Sequence, residues 1–367
     1  MGILKYIVDE RGVKSPFEEL KSSKLPVLIY GAGVYAHTVF KYLIAQNIKV
    51  SGIVVSKGYP VIKEMLQIPM LYEEDFIDEL KKYFIVIGVA NYPSIIEKFK
   101  KYQIKNYKFI DVPNFLDTKN PFFNLEFIHD NIENLDYALS LFSDKLSQNT
   151  FIAAINSKLN MDASHTKLYV RLDHQYFPSS EIKLNSEESF LDVGGYIGDS
   201  ILDFHKITSG QYKKIISLEP CFENFIKLEE LISEKNLKNI YPLMIGAYDE
   251  KAKLNFLQKP GGIENSVDFL GEQKINVDTI DNILSKNDNG HITIMKFDIN
   301  GSEFQAITGA AKTIVNCRPR IATKIHIAED FFRLPILLKH IAPEIKLYLR
   351  QRNYPSMTLV LYGFFEN

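Results

Sequence analysis

The sequence predicts an α/β protein made of two doubly wound units, each built on a mostly parallel sheet, with a helical connector between them. Three observations predict it. Short apolar runs alternate with amphipathic stretches in two separate regions of the 367 residues. A glycine-rich turn follows the leading run of each region. Two late runs near the carboxyl end have no helix between them, which predicts an antiparallel edge on the second sheet.

After a lead of residues 1–23, the first unit covers 24–118. Pro26-Val27-Leu28-Ile29-Tyr30 is apolar without a helical period and predicts a buried strand. Gly31-Ala32-Gly33 follows, then an amphipathic helix from Val34 to Gln46. Val50 to Val55 and Phe84 to Val89 predict two more strands, and Tyr92 to Tyr102 a helix. Residues 119–186 carry helical periodicity over Ile132–Leu146 and Asn149–Leu159 and predict the connector or lid. The second unit, 187–367, resumes the alternation. Its strands are predicted at Phe190–Val193, Ile215–Leu218, Ile240–Ile245, Ile292–Phe297 and Ile321–Ile325. Its helices are predicted at Asp199–Thr208, Phe222–Ser233 and Ser302–Val315. Lys346–Leu349 and Thr358–Tyr362 are the hairpin-like edge. Both units read as Rossmann-like.

Composition narrows the function. Lys plus Arg number 43 and Asp plus Glu 45, a net charge of −2. That balance gives no basic surface for nucleic acid. No apolar run approaches the ~20 residues that span a bilayer, and the amino terminus does not read as a secretory signal. Cys221 and Cys317 are far apart and in no metal-type spacing, so a reducing cytoplasm is expected.

The second unit carries the chemistry. Asp192-Val193-Gly194-Gly195-Tyr196-Ile197-Gly198 leaves a strand and opens a helix. Glycines let such a turn pass close to a ligand that the helix N–H groups then face. The next strand ends in Glu219-Pro220, where a carboxylate can accept both hydroxyls of a ribose. Together they predict a nucleoside crevice. Asp192 repels a pyrophosphate and suits the cationic end of S-adenosylmethionine, directly or through water.

Residues 175–362 resemble the FkbM family of S-adenosylmethionine-dependent methyltransferases. The matching segments are Gln175-Tyr176-Phe177, Phe190 to Ser200, Glu219-Pro220, Val277-Asp278-Thr279-Ile280-Asp281, Lys296 to Glu303, His326-Ile327-Ala328-Glu329-Asp330 with Arg333-Leu334-Pro335, and Tyr348-Leu349-Arg350 with Leu361-Tyr362. The resemblance implies a class I methyltransferase fold, a seven-stranded sheet, and methylation of hydroxyls, often on sugars. One departure stands out: Asn300 occupies the place of a family Glu, which removes a charge.

Asp192, Gly194, Gly195, Tyr196, Gly198, Asp199, Glu219, Pro220, Ala247 and Asp298 are then expected at the cofactor. His326 is favoured as general base because its ordinary pKa lies near neutrality, with Asp298 orienting substrate or supporting the base. Asn300, Glu303, Ser266, Lys296 and Arg350 are expected at the acceptor. Capping of the following helix remains an alternative for Asp298, and dipole compensation for Glu303. Pro260-Gly261-Gly262-Ile263 is either a loop at the substrate mouth or a plain hairpin. Asp298, Asn300 and Glu303 offer oxygen ligands, but no second carboxylate cluster accompanies them, so a divalent metal is not expected.

In the first unit, Gly31-Ala32-Gly33-Val34-Tyr35-Ala36 fits a dinucleotide pattern, yet the second strand ends in Ser56-Lys57 rather than an acid. NAD is therefore disfavoured. The unit resembles the small domain at the front of nucleotide-sugar-modifying enzymes. That implies a nucleotide or nucleotide-sugar at Gly31 and Gly33, with a docking or oligomerisation role equally open. The expected activity is O-methylation of a sugar, nucleotide-sugar or glycan precursor, giving S-adenosylhomocysteine. A weakly catalytic cofactor binder, suggested by Asn300, and an NAD(P)-linked oxidoreductase are the alternatives. A homo-oligomer is left open.

Overall fold

The computed structural model describes residues 2–10, 16–61, 63–89, 93–112, 123–257, 266–267, 271–286, 291–352 and 358–366. The chain forms two compact units. One holds Met1–Ile132, Asn149–Arg171 and Asn353–Thr358; the other holds Glu133–Gln148, Leu172–Arg352 and Leu359–Asn367. The helices of the connector region are thus shared between them. No helix among the described residues is long and apolar enough to cross a membrane.

The first unit is a five-stranded parallel sheet of β1 (Val27–Tyr30), β2 (Val50–Val55), β3 (Met70–Tyr72), β4 (Phe84–Ile87) and β5 (Tyr107–Phe109), in the order β3-β2-β1-β4-β5. β1 and β4 are buried along their whole length, as unbroken apolar runs in a covered parallel sheet must be. The three-residue strands β3 and β5 are too short to stand out in the sequence. Strand order reverses between β1 and β4, and Gly31 and Gly33 sit at that point. Gly31 has φ +116°, and a Cβ there would lie 2.9 Å from the Gly88 carbonyl oxygen, so glycine is required. Two asparagines one turn apart on the helix Lys145–Asn160 hold the amino-terminal lead. Asn156 and Asn160 each accept a backbone N–H (of Val8 at 2.9 Å and Glu10 at 2.7 Å) and each donate to a carbonyl (of Tyr6 and Val8).

The second unit contains, in chain order, β6 (Ser189–Val193), β7 (Lys214–Leu218), β8 (Ile240–Leu243), β9 (Gly246–Ala247), β10 (Ala252–Leu257), β11 (Ser266–Val267), β12 (Gln273–Asp278), β13 (Ile294–Phe297), β14 (Arg320–Lys324), β15 (Lys346–Gln351) and β16 (Leu359–Phe364). Seven of them form one sheet in the order β15-β16-β14-β13-β6-β7-β8. The pairs from β14 to β8 are parallel, and β16 runs antiparallel to both its neighbours. The expected seven-stranded sheet with an antiparallel edge is the one observed. Four short strands make a separate small sheet, β11-β10-β12-β9, which the sequence reading did not separate out. The segment Pro260–Ile263 lies outside the described residues.

Two helix expectations change. Ser302–Val315 is two helices, Glu303–Thr308 and Ala311–Cys317. The break falls at Gly309, where a Cβ would stand 2.0 Å from the Tyr248 carbonyl oxygen. The helix Ile132–Leu141 stops early, because Asp144 accepts the Ser147 N–H at 2.7 Å and starts the next helix, Lys145–Asn160. An aromatic cluster anchors the sheet: Phe177, Phe190 and Phe204 have ring centroids 4.9–5.1 Å apart.

Candidate active site

The glycine turn joins β6 to the helix Asp199–Ile207. Gly194, Tyr196 and Gly198 have φ of +89°, +47° and +93°. A Cβ on Gly194 would stand 2.2 Å from the Asp298 carbonyl oxygen, and one on Gly195 2.1 Å from Ser217 Oγ. The turn is therefore pressed onto the ends of the strands beside it, with Gly195 and Gly198 buried and Tyr196 and Ile197 partly exposed. Asp199 opens the helix, a favourable place for a carboxylate.

Under the turn lies a buried ion pair. Lys296 and Asp192 are register partners on β13 and β6, with Nζ 2.9 Å from Oδ1. Ser200 and Ser217 donate to Oδ2 at 2.8 and 3.3 Å, and Lys296 donates to the Gly194 carbonyl at 2.5 Å. Burial opposes the Lys296 charge, but Asp192, with Asp298 and Asp199, holds its pKa above the ordinary value. This corrects two expectations. Asp192 does not present its carboxylate to the cationic end of a donor, and Lys296 does not face an acceptor; each neutralises the other beneath the turn.

Glu219 follows β7 and is buried. Its carboxylate accepts the Tyr196 N–H at 2.8 Å and the Cys221 N–H at 2.9 Å, tying the strand tip to the turn. Burial pushes its pKa up to about 7 against those bonds. Pro220 and Gly246 are neighbours, and Ala247 pairs with Asp278 behind them. Glu219→Ala should weaken S-adenosylhomocysteine binding by about 10- to 100-fold, as loss of charged hydrogen bonds does. Calorimetry checks this; an unchanged affinity would place the ribose elsewhere.

The second half of the site is a linear triad at the carboxyl ends of β13 and β14. His326 Nδ1 is 2.8 Å from Glu303 Oε1, and Nε2 is 3.2 Å from Asp298 Oδ1. Glu303 is fully buried and accepts the Ile299 and Gly301 N–H groups, both at 2.8 Å. The turn Asp298–Gly301 wraps it, with Asn300 at φ +54° and Gly301 at +103°. Asn tolerates that left-handed backbone better than most residues, so Asn300 suits its place conformationally. Glu303 is thus neither an acceptor-binding residue nor a simple dipole partner; it is the carboxylate that orients His326.

Burial alone would lower the pKa of His326. Glu303 and Asp298, one on each ring nitrogen, reverse this and raise it to about 9. Burial would raise that of Asp298, but Lys324, His326 and Lys296 hold it well below the usual carboxylate range. At neutral pH the resting state is an imidazolium between two carboxylates. The premise that His326 titrates near neutrality is therefore corrected. Lys324 Nζ is 3.3 Å from Asp298 Oδ2, and the Tyr176 hydroxyl donates to the same oxygen. Neither was expected. The available signal for Lys324 was its position at the end of β14, two residues before His326.

Among the described residues, Asp298, Glu303 and His326 are a group that could hold a metal, one ligand atom from each lying within 4.8 Å of the others. As they stand, the two ring nitrogens point to different carboxylates, an arrangement suited to protons. Ser266 is half-buried on β11, opposite Leu257, with no described contact to the triad. Arg350 is corrected to a structural role. It is buried on β15, bound to Asp144 at 2.7 Å, Glu181 at 3.0 Å and Ser147 Oγ at 2.8 Å. Asp281, from the Val277–Asp281 segment, accepts the Thr313 N–H at 2.8 Å and caps the helix Ala311–Cys317. Gly31 and Gly33 belong to the first unit.

Residues 192–356 match the model of the methyltransferase FkbM domain. This segment is an FkbM methyltransferase domain. The activity class is S-adenosylmethionine-dependent methyl transfer. The FkbM match begins at Asp192, at the end of β6, and takes in the glycine turn, Glu219 and the whole triad, but not Tyr176. A crystal structure of methyltransferase FkbM from Methylobacillus flagellatus KT is similar over 99% of this chain and 98% of that one, with a TM-score of 0.67 and 18% identity. That likeness extends the shared fold beyond the FkbM segment. An rRNA methylase from Streptococcus thermophilus is 15% identical, over 50% of this chain and 90% of that one, with a TM-score of 0.32. No curated protein matches the sequence at a significant level.

Proposed function

We propose that the protein transfers the methyl group of S-adenosylmethionine to a hydroxyl of a sugar, nucleotide-sugar or glycan precursor, with His326 as the base. The observation that carries this reading is the oriented histidine. Glu303 locks Nδ1 from a fully buried position, and Nε2 opens toward Asp298, whose backbone packs on the cofactor turn. A base fixed this way, next to the place where a donor lies, is what in-line transfer to a hydroxyl requires. The close-packed glycine turn and the buried carboxylate of Glu219 fit the donor, which supplies an electrophilic methyl on sulfur when bound. The acceptor oxygen bonds to that methyl as the carbon–sulfur bond breaks, and the hydroxyl proton passes to Nε2. The sugar class follows from the family resemblance. Gly33 in the first unit, with only the Tyr59 hydroxyl near a Cβ at 3.9 Å, is compatible with the nucleotide or nucleotide-sugar that the resemblance implies for that unit, a docking role being equally open.

His326 must lose its Nε2 proton before it can accept another. With its pKa near 9, turnover should climb about tenfold per pH unit from pH 6 to 8 and level off above 9. Single-turnover transfer from labelled S-adenosylmethionine to a panel of sugars and nucleotide-sugars measures this. A profile flat between pH 6 and 8 would remove His326 from the base role; transfer to none of the panel would remove the sugar class.

A further inference from the structure

Tyr176 precedes β6 and belongs to the second unit. It is buried, and its surroundings hold it rigidly. Its hydroxyl donates to Asp298 Oδ2 and accepts from the Gln175 side-chain amide at 2.7 Å. Its ring faces the Lys296 ammonium at 5.4 Å, so it touches both the ion pair under the turn and the triad. The next residue, Phe177, packs edge-on against Phe190 of β6 at 5.1 Å. On the other side, the Gln175 carbonyl accepts the Tyr362 hydroxyl from β16. The segment is tied to the sheet at both ends.

This rigidity matters because Asp298 has two cationic suitors. Oδ1 meets His326 Nε2 at 3.2 Å, and Oδ2 meets Lys324 Nζ at 3.3 Å. The terminal torsion of an aspartate is broad, so either cation alone can turn the carboxylate toward itself. A neutral donor in fixed position on Oδ2 settles the contest. We propose that Tyr176 is a positioning residue for methyl transfer: its phenol pins Oδ2 of Asp298 and thereby keeps Oδ1 on the Nε2 face of His326. Without it, Asp298 swings toward Lys324 and lets go of the imidazole. The proposal rests on the reading of His326 as base, but its test needs neither acceptor nor turnover.

The test is the titration of the His326 ring by nuclear magnetic resonance, its signals assigned by their loss in His326→Gln. The charged groups facing that ring are Glu303 from the helix Glu303–Thr308, Asp298 at the end of β13, Lys324 on β14 and Asp330 at the start of the helix Asp330–Ile341. In Tyr176→Phe, the His326 midpoint should fall by about one pH unit, the size expected when one opposite charge withdraws. An unchanged or raised midpoint overturns the proposal. In Lys324→Met, where no ammonium competes, the midpoint should rise, and adding Tyr176→Phe to that background should no longer lower it. A fall in Lys324→Met, or a drop that persists in the double variant, overturns the proposal as well. Lys324→Met also covers the case in which Tyr176→Phe fails to give a cooperative melt. Failure of the methyltransferase reading shows up separately, as no heat when S-adenosylhomocysteine is titrated into the unaltered protein.

Discussion

Turnover of His326→Gln should fall by about 100- to 10,000-fold, the usual contribution of a general base, while S-adenosylhomocysteine still binds. Glutamine keeps an amide that can donate toward Glu303 or Asp298, so the site is not simply hollowed out. Some loss of stability is expected too, because Glu303 is fully buried and loses its cationic partner. The backbone N–H groups of Ile299 and Gly301 remain on it and limit that loss. The sign of the pH dependence provides an internal check. The His326 pKa is raised on folding, from an ordinary 6.5 to about 9. Its contribution to stability is then fully present below pH 6.5 and is lost as pH rises through 9. Urea unfolding across that window should show the decline in the unaltered protein and a flatter curve in the variant. Residual turnover within tenfold of the parent would assign the proton to another group.

Lys296→Met should cost the second unit about 3–5 kcal/mol, because it strands the buried carboxylate of Asp192 with only hydroxyl donors. The double variant Asp192→Asn with Lys296→Met should recover most of that loss, since removing both charges leaves nothing uncompensated. Cofactor affinity should not recover with it, because the Gly194 carbonyl still lacks its donor. Urea denaturation and calorimetry on the three variants separate the two effects. A single-variant cost below about 1 kcal/mol would mean that water reaches Asp192.

His326 and Lys296 both take their charge states from partners distant in sequence. The central strands of the two large sheets were legible because covered parallel strands must be apolar throughout, as Val27–Tyr30 and Phe84–Ile87 are, whereas β3, β5 and the small four-stranded sheet were not. The glycine turn was legible because its left-handed backbone dictates glycine at Gly194 and Gly198. Roles of charged residues were less so. Asp192 meets Lys296 across 104 positions of sequence, through a register that only the folded sheet defines. His326 was expected as the base from its ordinary pKa, but its charge depends on Glu303 and Asp298 arriving on opposite edges of its ring. Arg350 carries the residue type of an anion-binding group, yet Asp144 and Glu181 enclose it. Tyr176 sits in a stretch with no periodicity, and nothing local marks its hydroxyl as aimed at Asp298.

The position of β16 has a consequence for the order in which the protein is made. The sheet of the first unit has its last strand by residue 109, early in synthesis. The sheet of the second unit is different, because β16 lies inside it, between β14 and β15. β15 has no strand to pair with until Leu359–Phe364 emerges, and β14 keeps an open edge for the same interval. Until then the ribosome carries a half-built sheet with a bare apolar margin, the kind of intermediate that chaperones bind. A ribosome stalled before residue 359 should therefore display a first unit resistant to protease and a second unit still open to it.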